Sequence, residues 1–230
     1  MRDLSTFKGC PAPQPVRLEG RFVVIEPYDR SAHLKALWDG LGGMEGINPL
    51  LAYFTQPDFG GIEDFDAWLT GVQKGGWVTE VMRDKATDKV VGVANYMRPD
   101  PANGVVEVGG VAHGPDMSRS PLATEAHYLL ARHVFDDLGY RRYEWKCHNE
   151  NEPSKVTAKR YGFSFEGVFR QHMLSKGRNR DTAWFSMIDS EWPLIRAAFE
   201  AWLAPVNFDA SGRQLRRLED LRAELAARET

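Results

Sequence analysis

Residues 105–163 read VVEVGGVAHGPDMSRSPLATEAHYLLARHVFDDLGYRRYEWKCHNENEPSKVTAKRYGF, and this stretch decides the fold. It opens on a β-branched run, residues 105–112, that predicts a strand. Gly109 and Gly110 interrupt that run and mark a bulge or a close backbone approach. A helical period follows over residues 122–138, with Leu122, Ala126, Leu129, Leu130, His133 and Val134 on the apolar side and Gly139 as C-cap. Residues 143–147 form a short strand. Asn151 is placed to cap a second helix that runs to Tyr161 and is closed by Gly162.

Upstream of this stretch, residues 22–27 (FVVIEP) predict a first strand stopped by proline. Asp29 or Ser31 caps a helix to about Leu41, with Leu34, Leu37, Trp38 and Leu41 on one face. Gly42, Gly43 and Gly46 break it. A second helix covers residues 62–72, with Ile62, Phe65, Leu69 and Val72 at helical spacing. Strands at 77–83 and 90–97, joined by a polar turn, complete an antiparallel meander with 105–112. Downstream, residues 165–174 and 181–188 form a hairpin across 175–180, and a helix covers 191–203. Residues 205–212 read as a linker. Leu215, Leu218, Leu221 and Leu225 line a terminal helix. The order is mixed α/β, neither a βαβ repeat nor all-β. It divides the chain into an arm (1–16), one catalytic-size domain (17–204) and a C-terminal linker and helix (205–230).

Composition narrows the function classes. Among 230 residues, 29 are basic and 32 acidic, a net charge of −3. No basic field exists for nucleic acid, so that partner is not expected. The two cysteines, Cys10 and Cys147, lie far apart, and the histidines show no HxxxH or HExxH spacing, so neither a disulfide framework nor a metal is expected. No apolar window approaches a membrane span and the N-terminus has no signal-peptide pattern, which makes the cytoplasm the expected compartment. Five arginines and four acids surround the terminal leucine stripe. That pattern suits a helix packed on its own domain or on a second copy in a homodimer.

Three motifs at consistent mutual spacing resemble the GNAT superfamily of acyl-CoA-dependent N-acyltransferases. Ala123-Thr124-Glu125-Ala126 is similar to the start of the cofactor helix in the RimJ/RimL-like, ribosomal-protein-acetylating branch. Asn151 and Ser154, followed by Gly162-Phe163, resemble that branch's N-x-x-S…G-F signature. Glu107 and Gly109 resemble the E-x-G of the preceding strand. The resemblance covers roughly residues 17–192 and implies the GNAT fold: a mostly antiparallel mixed sheet flanked by helices. It also implies acetyl-CoA as co-substrate, with no metal, and a primary amine of a small molecule or a protein N-terminus as acceptor. The alternative is a module of the same fold that binds acyl-CoA without turnover.

The resemblance also implies roles. A pyrophosphate needs clustered N–H donors, and a helix N-terminus supplies them with a favourable dipole. Residues 118–124 stand there. The expected cofactor contacts are Arg119, Ser120, Leu122, Ala123 and Thr124, with the backbone of Gly110, Val111 and His113 and the Asn151 side chain along the pantetheine arm. The family loop reads Q/R-x-x-G-x-G/A. Here Ser118 and Pro121 stand at its first and glycine positions, so one N–H donor is missing. Pro121 suits the first turn of a helix instead, and Arg119 supplies a compensating charge. Glu107 is the expected general base, because a partly desolvated carboxylate takes up protons more readily. Ser154 is the expected acid toward the coenzyme sulfur. The tyrosine that serves many relatives is replaced by Ala158. On the hairpin, Arg170, His172 and Asp181 are expected to contact the acceptor. Lys176, Arg178 and Arg180 read as a solvated turn, and Trp145, Trp184 and Trp192 as core.

Overall fold

A computed structural model describes residues 4–118 and 120–229. Eight strands form one sheet in the order β1-β2-β3-β4-β5-β6-β8-β7. They are β1 (Leu18–Glu19), β2 (Val23–Pro27), β3 (Val78–Asp84), β4 (Val90–Asp100), β5 (Val105–His113), β6 (Arg142–His148), β7 (Ser164–Ser175) and β8 (Arg178–Ile188). Every pairing is antiparallel except β5 with β6, which is parallel. The expected mixed α/β class with a mostly antiparallel sheet therefore holds.

Seven α-helices among the described residues cover the two faces: α1 (Arg30–Gly40), α2 (Gly43–Leu50), α3 (Ile62–Lys74), α4 (Pro121–Arg132), α5 (Glu152–Arg160), α6 (Trp192–Leu203) and α7 (Leu218–Glu229). Helices α1 to α3 bury Leu37, Leu41, Ile47, Phe65 and Leu69 against Val81, Val90 and Val93 of the sheet. The other face packs Ala126, Leu129 and Leu130 of α4 with Tyr161, Ile195 and Phe199 over Ile25, Tyr96, Val106 and Tyr143. Leu218 and Leu221 of α7 join that second core. The Arg222 guanidinium donates to the carbonyls of Arg160 and Lys159. Among its described residues the N-terminal arm has no regular element, yet the Cys10 N–H pairs with the Pro101 carbonyl and the Val16 N–H with the Glu80 carboxyl group.

The caps follow local chemistry. Asp29 accepts from the Ala32 N–H, and Asn151 from the Ser154 N–H at 3.1 Å. Helix α2 differs from the sequence expectation. Gly42 takes a left-handed φ of 90° as its N-cap, and the chain turns straight into a short helix where glycines suggested only a break. That turn carries residues 50–55 back over the sheet. The long helix expected over 122–138 also divides. It is α-helical to Arg132 and then widens into one π-turn, His133–Asp137. The Tyr96 hydroxyl donates to the Leu130 carbonyl at 3.1 Å just before this widening, an inserted partner of the kind that loosens a helical ladder. The hairpin is tighter than expected: β7 and β8 are joined across Lys176 and Gly177 alone.

Candidate active site

The parallel β5–β6 ladder runs only from Val105↔Arg142 to Val108↔Trp145. Beyond that point β5 continues to His113 against β4, and β6 continues to His148 against β8. The two strands therefore part. A cavity of about 490 Å³ opens in the fork, bounded by Gly109 to His113 on one side and Trp145 to His148 on the other. Its third wall is the β7–β8 hairpin and its fourth the segment around Tyr53 and Phe54. In the fork, the edge of β5 that faced β6 has no strand partner, so its amides and carbonyls are the natural place for an extended, amide-bearing ligand.

The predicted bulge lies on this edge. Between Val93↔Ala112 and Asn95↔Gly109, β5 carries one residue more than β4. Gly110 takes up the excess with a φ of 57°, which an L side chain reaches only at a cost. The Asn95 amide nitrogen donates to the carbonyls of Gly109 and Gly110 at 3.2 and 3.3 Å. A Cβ on Gly110 would overlap that amide and come within 2.9 Å of the Trp77 ring.

Glu107 is 3% exposed and faces the cavity. It is not a lone carboxylate on an apolar strand. Arg98 Nη1 lies 2.6 Å and Lys146 Nζ 3.0 Å from its Oε2. Lys146 also pairs with Glu144 at 2.7 Å, Glu144 with Arg142 at 2.7 Å and Arg142 with Glu166 at 2.6 Å. Charges alternate along this chain from the cavity to the sheet edge. At its far end, Arg142 pulls the Glu166 carboxyl down to about 2. Both cations on Glu107 use Oε2. Oε1 lies beside Gly109, where a Cβ would stand 3.3 Å from it.

Ser154 also lines the cavity, and its hydroxyl accepts from Trp145 Nε1 at 2.9 Å. Its own O–H proton is thereby left to donate. Asn151 lines the same wall while its Oδ1 caps α5. Gly110, Val111 and His113 form the opposite wall. His113 Nε2 lies 3.3 Å from His127 Nε2. Burial pushes His113 down to about 4 and His127 well below its usual range, so both rings are neutral at physiological pH.

The start of α4 stands apart from these walls. Pro121 occupies its first turn, as the sequence suggested, and Ser120 is the N-cap. The Ser120 hydroxyl donates back to the Met117 carbonyl. Thr124 is 2% exposed and accepts from Arg160 at 2.9 Å, which places its hydroxyl in the interior rather than at a ligand. Leu122 is likewise a core side chain, and Ala123 is partly buried against the same core. Their contribution to a phosphate is therefore limited to N–H groups. Arg119 lies outside the described residues. Glu125, inside the ATEA motif, is structural: its carboxylate accepts from the N–H groups of Arg21, Phe22 and Val23.

On the hairpin, His172 lines the cavity and its Nδ1 lies 2.9 Å from the Thr182 hydroxyl. Arg170 and Asp181 are not among the lining residues. Asp181 instead accepts from Gln171 N–H and Asn179 and secures the irregular register between Phe169 and Met173. Sequence reasoning missed Arg98, Lys146 and Arg180, which all reach the cavity; Trp145 is a core residue as expected and lines the cavity as well, whereas Trp184, also expected in the core, lines the cavity. Trp192 is buried as expected. The overlooked signal was alternation: Arg180, Thr182 and Trp184 share one face of β8, and that face looks into the fork.

Comparison with known proteins agrees with this geometry. Residues 48–164 match the family model of the acetyltransferase (GNAT) domain. The chain is 45% identical to a GCN5-related N-acetyltransferase from Brucella melitensis, with a TM-score of 0.91 over 96% of this chain and 100% of that one. A GNAT-family structure from Chromobacterium violaceum is 34% identical, with a TM-score of 0.77 over 84% of this chain and 96% of that one. The uncharacterised N-acetyltransferase p20 of Bacillus licheniformis is 32% identical over 112 residues. That match spans 47% of this chain and 60% of the length of p20.

Proposed function

Because this chain belongs to the GNAT acetyltransferase family, we propose that it transfers an acetyl group from acetyl-CoA to the primary amine of a small molecule or a protein N-terminus. The observation that carries this reading is the fork between β5 and β6, with the Gly110 bulge on one edge and Glu107 at its root. The N-x-x-S…G-F pattern at 151–163 supports a place near the RimJ/RimL-like branch.

In this reading the pantetheine arm lies along the unpaired edge of β5, contacted by the backbone of Gly110 to His113 and by Asn151. The N–H groups at the start of α4, with Arg119, serve the pyrophosphate. An arriving ammonium must lose a proton before its nitrogen has a lone pair. Glu107 Oε1 receives that proton, directly or through one water, while Arg98 and Lys146 hold Oε2 in place. The amine nitrogen then attacks the thioester carbonyl carbon, the carbon–sulfur bond breaks and the acetyl group leaves on nitrogen. Ser154, oriented by Trp145, gives its proton to the departing sulfur, and the second proton that the acylated nitrogen must lose restores the serine hydroxyl.

The test is Glu107→Gln, assayed by thiol release from acetyl-CoA across an amine panel and by thermal shift with CoA. Turnover is expected to fall by at least about 100-fold, the usual contribution of a general base. The stabilisation by CoA should persist, since ligand bound to the native state raises the melting temperature. Undiminished turnover would remove Glu107 from the mechanism. Wild-type protein that neither responds to CoA nor releases thiol with any amine would overturn the proposal.

A further inference from the structure

The charges lining the cavity are unequal. Arg98, Lys146 and Arg180 line it, and Glu107 is the one carboxylate among the described lining residues. Two of the three cations are matched. Arg98 pairs with Glu107, and Lys146 with Glu107 and Glu144. Arg180 is the surplus. No carboxylate among the described residues lies within ion-pair distance of it. Its Nη1 donates to the Tyr53 carbonyl at 3.1 Å, and its Nε is buried with no acceptor. Burial without a counter-ion is unfavourable for a guanidinium, and its pKa is accordingly lowered, with desolvation the first cause.

A half-buried cation with an unsatisfied Nε–H in the wall of a ligand cavity has one economical explanation: the ligand brings the anion. With Nη1 engaged by Tyr53 and Nε covered by the protein, Nη2 is the donor left toward the cavity, and a carboxylate there would make a charge-assisted bond to it. The position fits an acceptor. Arg180 pairs in register with Met173 on the hairpin, and Thr182 and Trp184 continue its face toward Lys146, whose Nζ lies 3.9 Å from the centre of the Trp184 ring. Arg180 is also close enough to Arg98 and Glu107 to feel both charges. An amine at Glu107 and an anion at Arg180 would thus belong to one molecule. A purely cationic amine would meet the surplus positive charge and be repelled. Tyr53, Phe54 and Trp184 supply an apolar surround for the body between the two groups.

We propose that the acceptor is an amine carrying a carboxylate, of the amino-acid class, with Arg180 as the residue that binds the carboxylate. This inference rests on the acetyl-transfer reading for the orientation of the amine, but its test does not depend on turnover. The CoA-loaded protein is titrated calorimetrically with N-acetylphenylalanine, N-acetylleucine and N-acetylglycine, each beside its carboxamide. At least one acid is expected to bind tenfold or more tightly than its amide. Arg180→Met should bring that ratio close to one, and Arg180→Lys should restore part of it. The lysine variant and a thermal melt with CoA guard against a trivial loss of the Tyr53 contact. Acids that bind no more tightly than their amides in the wild type, acids that do not bind at all, or a ratio that survives in Arg180→Met would each overturn the proposal. Absence of thiol release from every amine would count against acyl transfer and leave the acid-to-amide ratio to be read on its own.

Discussion

Gly110→Ala tests whether the bulge in β5 is a built feature of the site. Two costs can be worked from the structure. The alanine must adopt the φ of 57° seen at Gly110, which costs an L residue about 1–2 kcal/mol. Its Cβ would also overlap the Asn95 amide nitrogen. If Asn95 swings away, its hydrogen bonds to the Gly109 and Gly110 carbonyls are lost, at about 1 kcal/mol each. The sum is about 3–4 kcal/mol. For a chain of this size each kcal/mol lowers the melting temperature by roughly 2–4 °C, so a drop of roughly 6–16 °C is expected by thermal denaturation. The stabilisation by CoA should shrink at the same time, because the edge of β5 that would carry the pantetheine amides is displaced. A double-mutant cycle isolates the Asn95 part. In an Asn95→Ala background Gly110→Ala should cost only about 1–2 kcal/mol, about 2 kcal/mol less than in the wild type, since the overlapped amide is already gone. A Gly110→Ala protein that melts with the wild type, or a cost identical in both backgrounds, would refute the reasoning.

Glu125→Ala removes the carboxylate that accepts from three N–H groups, those of Arg21, Phe22 and Val23. At about 1–3 kcal/mol for each buried donor left unpaired, with water recovering part, a loss of about 3–5 kcal/mol is expected in urea unfolding, and Glu125→Gln should lose clearly less. Stability should also depend on pH from both sides. His113 and His127 have folded pKa values below the unfolded one, so their contribution is present above about pH 6.5 and is lost as pH falls below it, for His113 through about 4. Glu80 runs the other way. Burial pushes its carboxyl up to about 8, so its contribution is full below about pH 4.5 and is lost as pH rises through 8. Melting temperature against pH should therefore fall on both limbs, and Glu80→Gln should flatten the alkaline one selectively. An alkaline limb unchanged in Glu80→Gln would assign it to other groups.

The sequence alone determined the features that local chemistry encodes. Asp29 and Asn151 cap helices because a short side-chain oxygen reaches an N–H three residues on, whatever the rest of the fold does. The double glycine announced the bulge because only glycine takes its backbone angles at low cost. Period and breakers located seven of the eight strands, all but the two-residue β1, and most helices, and the motifs pointed to the family. Two local signals misled. The glycines of 42–46 read as a break, whereas they build a tight junction between two helices: Gly42 takes a φ of 90°, and a Cβ on Gly46 would collide with the Leu41 carbonyl. The turn at 175–180 read as solvated because lysine and arginine usually are, and Lys176 and Arg178 are exposed, but Arg180 turns into the cavity.

Tertiary structure decided the charges of the site. Arg98, Glu107, Lys146 and Arg180 come from four strands. Only the register of the sheet brings them together: Glu107 beside Glu144 across the parallel ladder, and Lys146 opposite Trp184 across the antiparallel one. A shift of one residue in either pairing would turn those side chains to the other face. Whether a carboxylate is lone or doubly paired, and whether an arginine is solvated or short of an anion, depends on distances between residues far apart in the chain. Those distances are set by where β5 and β6 stop pairing, at Val108 and Trp145. No local pattern records that point. It follows from the bulge on one strand, the return of β8 on the other, and the packing of helices on both faces.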